Sequence, residues 1–353
     1  MRCVFGWGCE AAPFYTKLCN QQEAGMKTIA VLLAAFLLVV SASAQSQDDA
    51  LKEASQLSQQ VIRLYNEGKY DEALPLAKRA VEIREKILGK EDPLLADALA
   101  NLGAVLMAMK NYGNAQSQYE KALSIYEKAL GEGSLKVCDA LDNLGWLNYA
   151  ANNNGKAESL LQRSLAIKEK NLGPDHTETA QAIESLARFY QRTGKYDKSI
   201  SLYKRIAAMW EKLPGNNQIK AADALEQCAC VMRLNRQEME ANKIDMQSMT
   251  IRFRAGVRAD GVNIPFPVMR RNAVHTEQPE YPPAAKSARI TGAIVIEVVV
   301  DETGKVTDAK VKCGNDIFAQ AAIEAARKWR FDPIKSPGAP AKVIGYVTFR
   351  FTR

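Results

Sequence analysis

Seven cysteines and two histidines are the side chains in this 353-residue chain best suited to nucleophilic, redox or metal chemistry. Their spacing serves none of the three. Cys3, Cys9 and Cys19 precede a segment that reads as an export signal, which leaves Cys138, Cys228, Cys230 and Cys313. Cys228 and Cys230 stand two apart in a helical segment, so they point to different faces and cannot easily bridge each other. Cys228 takes a repeat position held elsewhere by Leu102, Leu144 and Leu186, and Cys138 one held by Ala96 and Ala180, so both read as small core residues. Export would permit disulfides, but the repeat register argues against them. His176 in the loop LGPDHTET and His275 further on have no partner at catalytic or metal-ligand spacing, and both read as structural. A nucleophile elbow, a carboxylate pair and a phosphate loop are all missing. The expectation is a protein that is not an enzyme, with no cofactor and no metal.

The elements that hold these residues come from one template. The stretch LADALANLGAVLMAMKNYGNAQSQYEKALSIYEKALG, from Leu95 to Gly131, recurs every 42 residues. Its final glycine falls at Gly89, Gly131, Gly173 and Gly215, and its turn position at Tyr70, Tyr112, Asn154 and Tyr196. A small residue follows at Ala73, Ala115, Ala157, Ser199 and Ala241. Such a period means stacked helix pairs, because one pair cannot bury its apolar stripe alone. In the second copy Ala96, Leu99, Leu102 and Leu106 mark helix A, while Ala115, Tyr119, Ala122 and Tyr126 mark helix B. Gly103 and Gly145 are expected to let the two helices approach closely. Asp92 and Pro93 suit the N-cap and first position of a helix A.

Residues 51 to 255 therefore resemble the tetratricopeptide repeat, in its 42-residue kinesin-light-chain variety, with Leu99, Leu102, Gly103, Leu106, Ala115, Tyr119 and Ala122 in the signature slots. The resemblance implies an all-α solenoid of about five helix pairs, whose A helices line a peptide-binding groove. In that family an asparagine before the Leu-Gly pair contacts the bound backbone. Asn101 and Asn143 fill the slot here, and Gln59, Ser185 and Gln227 replace it in other copies. The third copy departs at Asn148 and Asn154. The fifth carries Asp245 and Ser248 in helix B slots, so it is expected to be a frayed or polar cap. The run Met232, Met239, Met246 and Met249 reads as core filler.

Residues 1 to 44 stand outside the fold. From Met26 the chain reads MKTIAVLLAAFLLVVSASAQ: a basic start, an apolar run from Ile29 to Val40, and a small-residue cleavage site at Ala42 to Ala44. The run is shorter than the roughly 20 residues of a membrane span. Cleavage predicts a periplasmic protein, and an uncleaved segment would anchor it in the inner membrane. Charge adds little: Lys and Arg exceed Asp and Glu by only 1 over residues 45 to 255 and by 5 over residues 256 to 353. Neither clustered cations nor a nucleic-acid module accompanies that excess, so nucleic acid is not an expected partner.

After a proline-punctuated linker, residues 256 to 277, the periodicity changes from 3.6 to 2. Ile294, Ile296, Val298 and Val300 alternate through a strand, DETG turns it back into Val306 to Lys312, and Val343, Gly345, Val347, Phe349 and Phe351 form a last strand. Asp316 is a candidate N-cap for a helix with an apolar face of Phe318, Ala321, Ala322, Ala325 and Trp329. The expectation is a small α+β domain, a sheet with one helix on one face and the last strand at a free edge. Few contacts are expected between it and the repeats. Tyr281-Pro282, Gly292, VDETGKV and the run ARKWRFDP make residues 278 to 353 resemble the C-terminal domain of TonB-type energy transducers. That resemblance implies capture of an extended segment of an outer-membrane transporter by strand addition, with Gln278 and Tyr281 near the segment and Val343, Gly345, Val347 and Phe349 on the receiving strand. The resulting expectation is a periplasmic adaptor whose two domains each dock a protein. The alternative is a membrane-anchored TonB-type energy transducer.

Overall fold

The computed structural model describes residues 45–212, 217–255, 262–264, 273–333, 335–336, 339–340 and 342–352. Residues 1 to 44, where an export signal is expected, and most of the linker lie outside the described residues. The chain divides into two compact units at Ala129/Leu130. The first holds α1 (residues 45–66), α2 (Tyr70–Leu88), α3 (Pro93–Ala108) and α4 (Tyr112–Leu130). In the second, α5 (Leu135–Ala150), α6 (Asn154–Leu172), α7 (Thr177–Arg192), α8 (Tyr196–Lys212), α9 (Asn217–Leu234) and α10 (Glu238–Arg254) continue the repeats.

Each boundary has a local cause. Asp92, Ser134 and His176 share one register position, and each accepts a hydrogen bond from the backbone N–H two residues on, capping α3, α5 and α7. His176 is thus structural, as expected. Helices α2 and α6 end at Gly89 and Gly173, with φ of +84° and +87°, a conformation that a side chain would strain. The expected close approach within a pair is present. A Cβ on Gly103 would stand 2.7 Å from the Tyr119 ring, and one on Gly145 would stand 2.9 Å from Leu161.

The second unit continues into the small domain. It comprises β1 (Val262–Ile264), β2 (Ala273–His275), α11 (Pro283–Ser287), β3 (Gly292–Val300), β4 (Val306–Gly314), α12 (Ala319–Lys328), β5 (Arg330–Phe331), β6 (Lys335–Ser336), β7 (Ala339–Pro340) and β8 (Val343–Phe351). The main sheet has the order β1-β8-β3-β4, with β3 antiparallel to both neighbours. Asp301 accepts from the N–H of Thr303 and Lys305 at 2.9 and 3.0 Å to form the β3–β4 turn. Gly304 closes it at φ +86°, with the Phe331 carbonyl where a Cβ would fall. The helix cap is Asn315 rather than Asp316, because a short 3-10 turn, Asp316–Phe318, precedes α12. Phe318, Ala322, Ala325, Ala326 and Trp329 pack on Ile294, Ile296, Val298, Val347 and Phe349.

Six expectations are corrected by the packing. The sheet is covered on both faces: Ala293, Val295, Cys313 and Tyr346 on the second face cluster with Cys230 and Leu234 of α9. Cys230 and Cys313 form a disulfide with a Cα separation of 6.3 Å, where the repeat register had argued against any. The two domains therefore share a core where few contacts were expected, and they should unfold together. Helix α10 is not a polar outer cap, since Asn242, Asp245 and Ser248 are buried and bonded inward. Of the methionine run only Met232 is buried among core residues, whereas Met239 and Met246 are exposed. Finally, β8 is no free edge along its first third, because β1 pairs with it in parallel, Val262↔Val343 to Ile264↔Gly345.

Candidate functional site

The sheet meets α9 through a bonded polar seam around the disulfide. Lys312 donates to Glu226 at 2.7 Å and lies 3.5 Å from Glu297, while Arg252 donates to the other Glu226 oxygen at 2.8 Å. Arg233 pairs with Asp245, donates to Asn242 at 2.9 Å, and stacks its guanidinium 4.4 Å from the Tyr346 ring centre. Arg350 of β8 donates to the Leu234 and Arg233 carbonyls at 3.1 and 2.8 Å. Those carbonyls end α9, where helical partners run out and a cation is favoured. The small domain thus caps the repeat helix on which it sits.

Burial alone would raise the Glu226 pKa, but Lys312 and Arg252 outweigh it and hold the carboxyl below its ordinary 4.5. Burial would lower Lys312, but Tyr346, Glu226 and Glu297 leave it above its ordinary 10.5. A depressed acid contributes stability above its unfolded pKa that is lost as pH falls through the folded value. A raised lysine contributes stability below its unfolded pKa that is lost as pH rises through the folded value. Burial raises Asp245, against the pull of Arg233, so this carboxyl partly offsets the acid loss. Stability of the small domain on α9 is therefore expected to peak between roughly pH 4.5 and 10.5. Urea unfolding across pH checks this, and Lys312→Met should flatten the alkaline arm.

On β8 the side chains of Val343, Val347 and Phe349 point into the core under α12, and Gly345 is buried with them. These four residues can offer a partner main chain only. Tyr281 stands edge-on to Phe318 and Phe351 and donates to the Ile290 carbonyl at 2.5 Å, so it braces the end of β8. Gln278 is exposed in a cleft of about 400 Å³ lined by Glu277, Tyr281, Ile317, Gln320, Glu324 and Lys328. Trp329 anchors that entry segment by donating to the Glu277 carbonyl at 2.9 Å.

In the repeats, Asn101 on α3 and Asn143 on α5 are half-buried, in separate units. One turn beyond Asn143, Trp146 donates to Ser185 at 3.0 Å, and Arg192 covers both Trp146 and Tyr149. A pocket of about 300 Å³ between α7, α8 and α9 is lined by Gln181, Glu184, Trp210, Lys220, Asp223 and Gln227. Gln227, in the slot of Asn101 and Asn143, is one of its lining residues, and the walls come from three helices. Cys138 and Cys228 are buried thiols facing the Ser164 and Ile200 carbonyls, and burial pushes Cys228 up to about 11. Both are core residues, as expected. Among the described residues no cluster of His, Cys, Asp and Glu could hold a metal ion, and no helix is long and apolar enough to cross a membrane.

Helix pairs with grooved, amide-bearing faces, joined to a sheet with a main-chain edge, define a class of protein-interaction modules. The tetratricopeptide repeat model matches residues 64–106, 95–170 and 178–252, and the Gram-negative bacterial TonB protein C-terminal model matches residues 277–352. The chain belongs to the tetratricopeptide repeat family, and its array is followed by a TonB C-terminal domain. Protein TonB of Xanthomonas campestris pv. campestris, in two strains, is 43% identical over 56 residues, 15% of this chain and 25% of that protein. The chain thus spans about a quarter of the length of the curated relatives it matches. Among solved structures, a kinesin light chain with nearly identical TPR-like repeats from Podosopora anserina superposes with a TM-score of 0.51 at 22% identity, covering 57% of this chain and 95% of that one. BtubC (BKLC) from P. vanneervenii gives 0.50 at 18%, covering 61% and 91%. These likenesses concern the fold alone.

Proposed function

We propose that this chain is a non-catalytic periplasmic adaptor. Its repeats bind a protein partner, with Asn101 in the first unit and Asn143 in the second as the candidate contacts. Its TonB-like domain takes up an extended segment of an outer-membrane protein, a transporter by analogy with TonB, through strand addition to β8 beside Gln278 and Tyr281. The observation that carries the reading is the seating of β8. Its alternate side chains are anchored under α12 and its inner side is laddered to β3 throughout, so its outer side presents ordered main chain at little entropic cost. The Cys230–Cys313 bond supports an oxidising compartment, as expected after export. The seam on α9 holds the capture strand at a set position beside the last repeats, which suits an adaptor more than two domains on a string.

A photoreactive residue introduced at Gln278 or Thr348 in living cells tests this. Adducts with an outer-membrane protein are expected. Adducts confined to cytosolic proteins, or none at either position, would sink the proposal.

A further inference from the structure

We propose that β1 is a built-in occupant of the strand-accepting edge of β8, which an incoming segment must displace; this rests on the capture reading above. The inner side of β8 is paired over its whole length, from Gly292↔Phe351 to Val300↔Val343. On the outer side β1 pairs with Val343, Ile344 and Gly345, three of the nine residues. From Tyr346 to Phe351 the outer side has no ladder partner among the described residues. An unpaired edge invites association with other chains, and a short covering strand from the same chain blunts it.

The cover is built to yield. A three-residue ladder is well below the length of an average strand, so by itself it is weak. It stays in place because both ends of its segment are tethered. Seven residues separate Val262 from Arg254, the end of α10, and eight separate Ile264 from Ala273, the start of β2. Helix α10 packs on α9, which is bonded to the sheet, and β2 pairs with β5. Tethering turns a weak contact into an intramolecular one at high effective concentration. An incoming segment can start on the open stretch from Tyr346 to Phe351 and advance toward Val343, lifting β1 residue by residue without unfolding the sheet. The apparent affinity of any segment that needs the whole strand is lowered by the fraction of time β1 is seated.

The test uses the exported chain, residues 45–353, and a synthetic peptide of its own residues 258–268 as probe. Two variants disable β1: Val262→Pro with Ile264→Pro, and Asn263→Pro. Together they remove either parity of N–H donor from the ladder. The probe is expected to bind at least one variant about ten-fold more tightly than the unsubstituted chain, shifting the amides of Val343 to Gly345. Equal binding to all three chains, or binding to none, overturns the proposal. A second readout needs no substitution: the outward amides of Val343 to Gly345 should exchange about ten-fold more slowly than those of Val347 to Phe349. Equal rates would also overturn it. If the crosslinking at Gln278 and Thr348 fails while both readouts hold, the capture reading falls and the occupancy of the edge by β1 stands. If crosslinking succeeds and both readouts are flat, only the present inference falls.

Discussion

Replacing Cys230 and Cys313 together by alanine is expected to lower the unfolding free energy of the small domain by about 4.6 kcal/mol in oxidising buffer. The figure comes from loop closure: the crosslink spans a sequence separation of 83, and the unfolded chain regains that freedom when the bond is removed. Neither sulfur is exposed, and the surrounding cluster of Leu234, Ala293, Val295 and Tyr346 stays packed around two alanines. The loss should therefore fall on the unfolded state more than on the native contacts. Hydrogen exchange of the β3 core amides checks it, with the unsubstituted chain in reductant as a second route to the same state. Protection that changes by less than about ten-fold in both, roughly 1.4 kcal/mol, would show that the bond constrains nothing that matters to this fold.

Arg233→Ala should have an effect of similar size for a different reason. Arg233 is only 2% exposed, and its guanidinium serves Asp245, Asn242 and the face of Tyr346 at once. Removing it leaves the Asp245 carboxylate buried without its counter-charge, which costs about 3–5 kcal/mol. Part of that cost can be escaped by protonation, so the deficit should shrink as pH falls. Arg233→Met with Asp245→Leu replaces the pair by apolar volume and should recover most of the loss, since well-packed hydrophobes often match a buried ion pair. A double-mutant cycle read by urea unfolding decides the matter. If the double variant is as unstable as the single one, the pair is not what makes α10 adhere to α9.

Both effects lie at a junction that the sequence reading did not place, although two traces of it were present. The run GAIVIEVVV in β3 is apolar on both parities, which is the mark of a strand covered on both faces. Reading only Ile294, Ile296, Val298 and Val300 leaves Ala293, Val295 and Val299 unexplained. Cys230 takes the repeat slot of Trp146 and Arg188, residues on the face that other copies leave partly or fully exposed, whereas Cys228 takes a core slot. A small, oxidisable residue in a face slot is out of keeping with its register, and Cys313 was the remaining candidate to meet it. The polar slots of α10 carry the same lesson. Asp245 and Ser248 break the apolar pattern of helix B because Arg233 and the Ala222 carbonyl face them across the α9 interface.

What the sequence determined by itself is what repeats or alternates over short range. The 42-residue period, the caps at Asp92, Ser134 and His176, the close approaches at Gly103 and Gly145 and the β3–β4 turn all follow from residues near one another in the chain. Their geometry is set by backbone sterics and local hydrogen bonds, which act over a few residues. Tertiary structure alone decided which surfaces meet. The Cys230–Cys313 bond, the Lys312–Glu226 pair, the capping of α9 by Arg350 and the seating of β1 on β8 join residues 81 to 117 positions apart. Periodicity names the face of each element that must be buried, but several faces satisfy that demand equally. The choice among them is made by shape and charge complementarity between elements distant in the chain, and no local pattern encodes that.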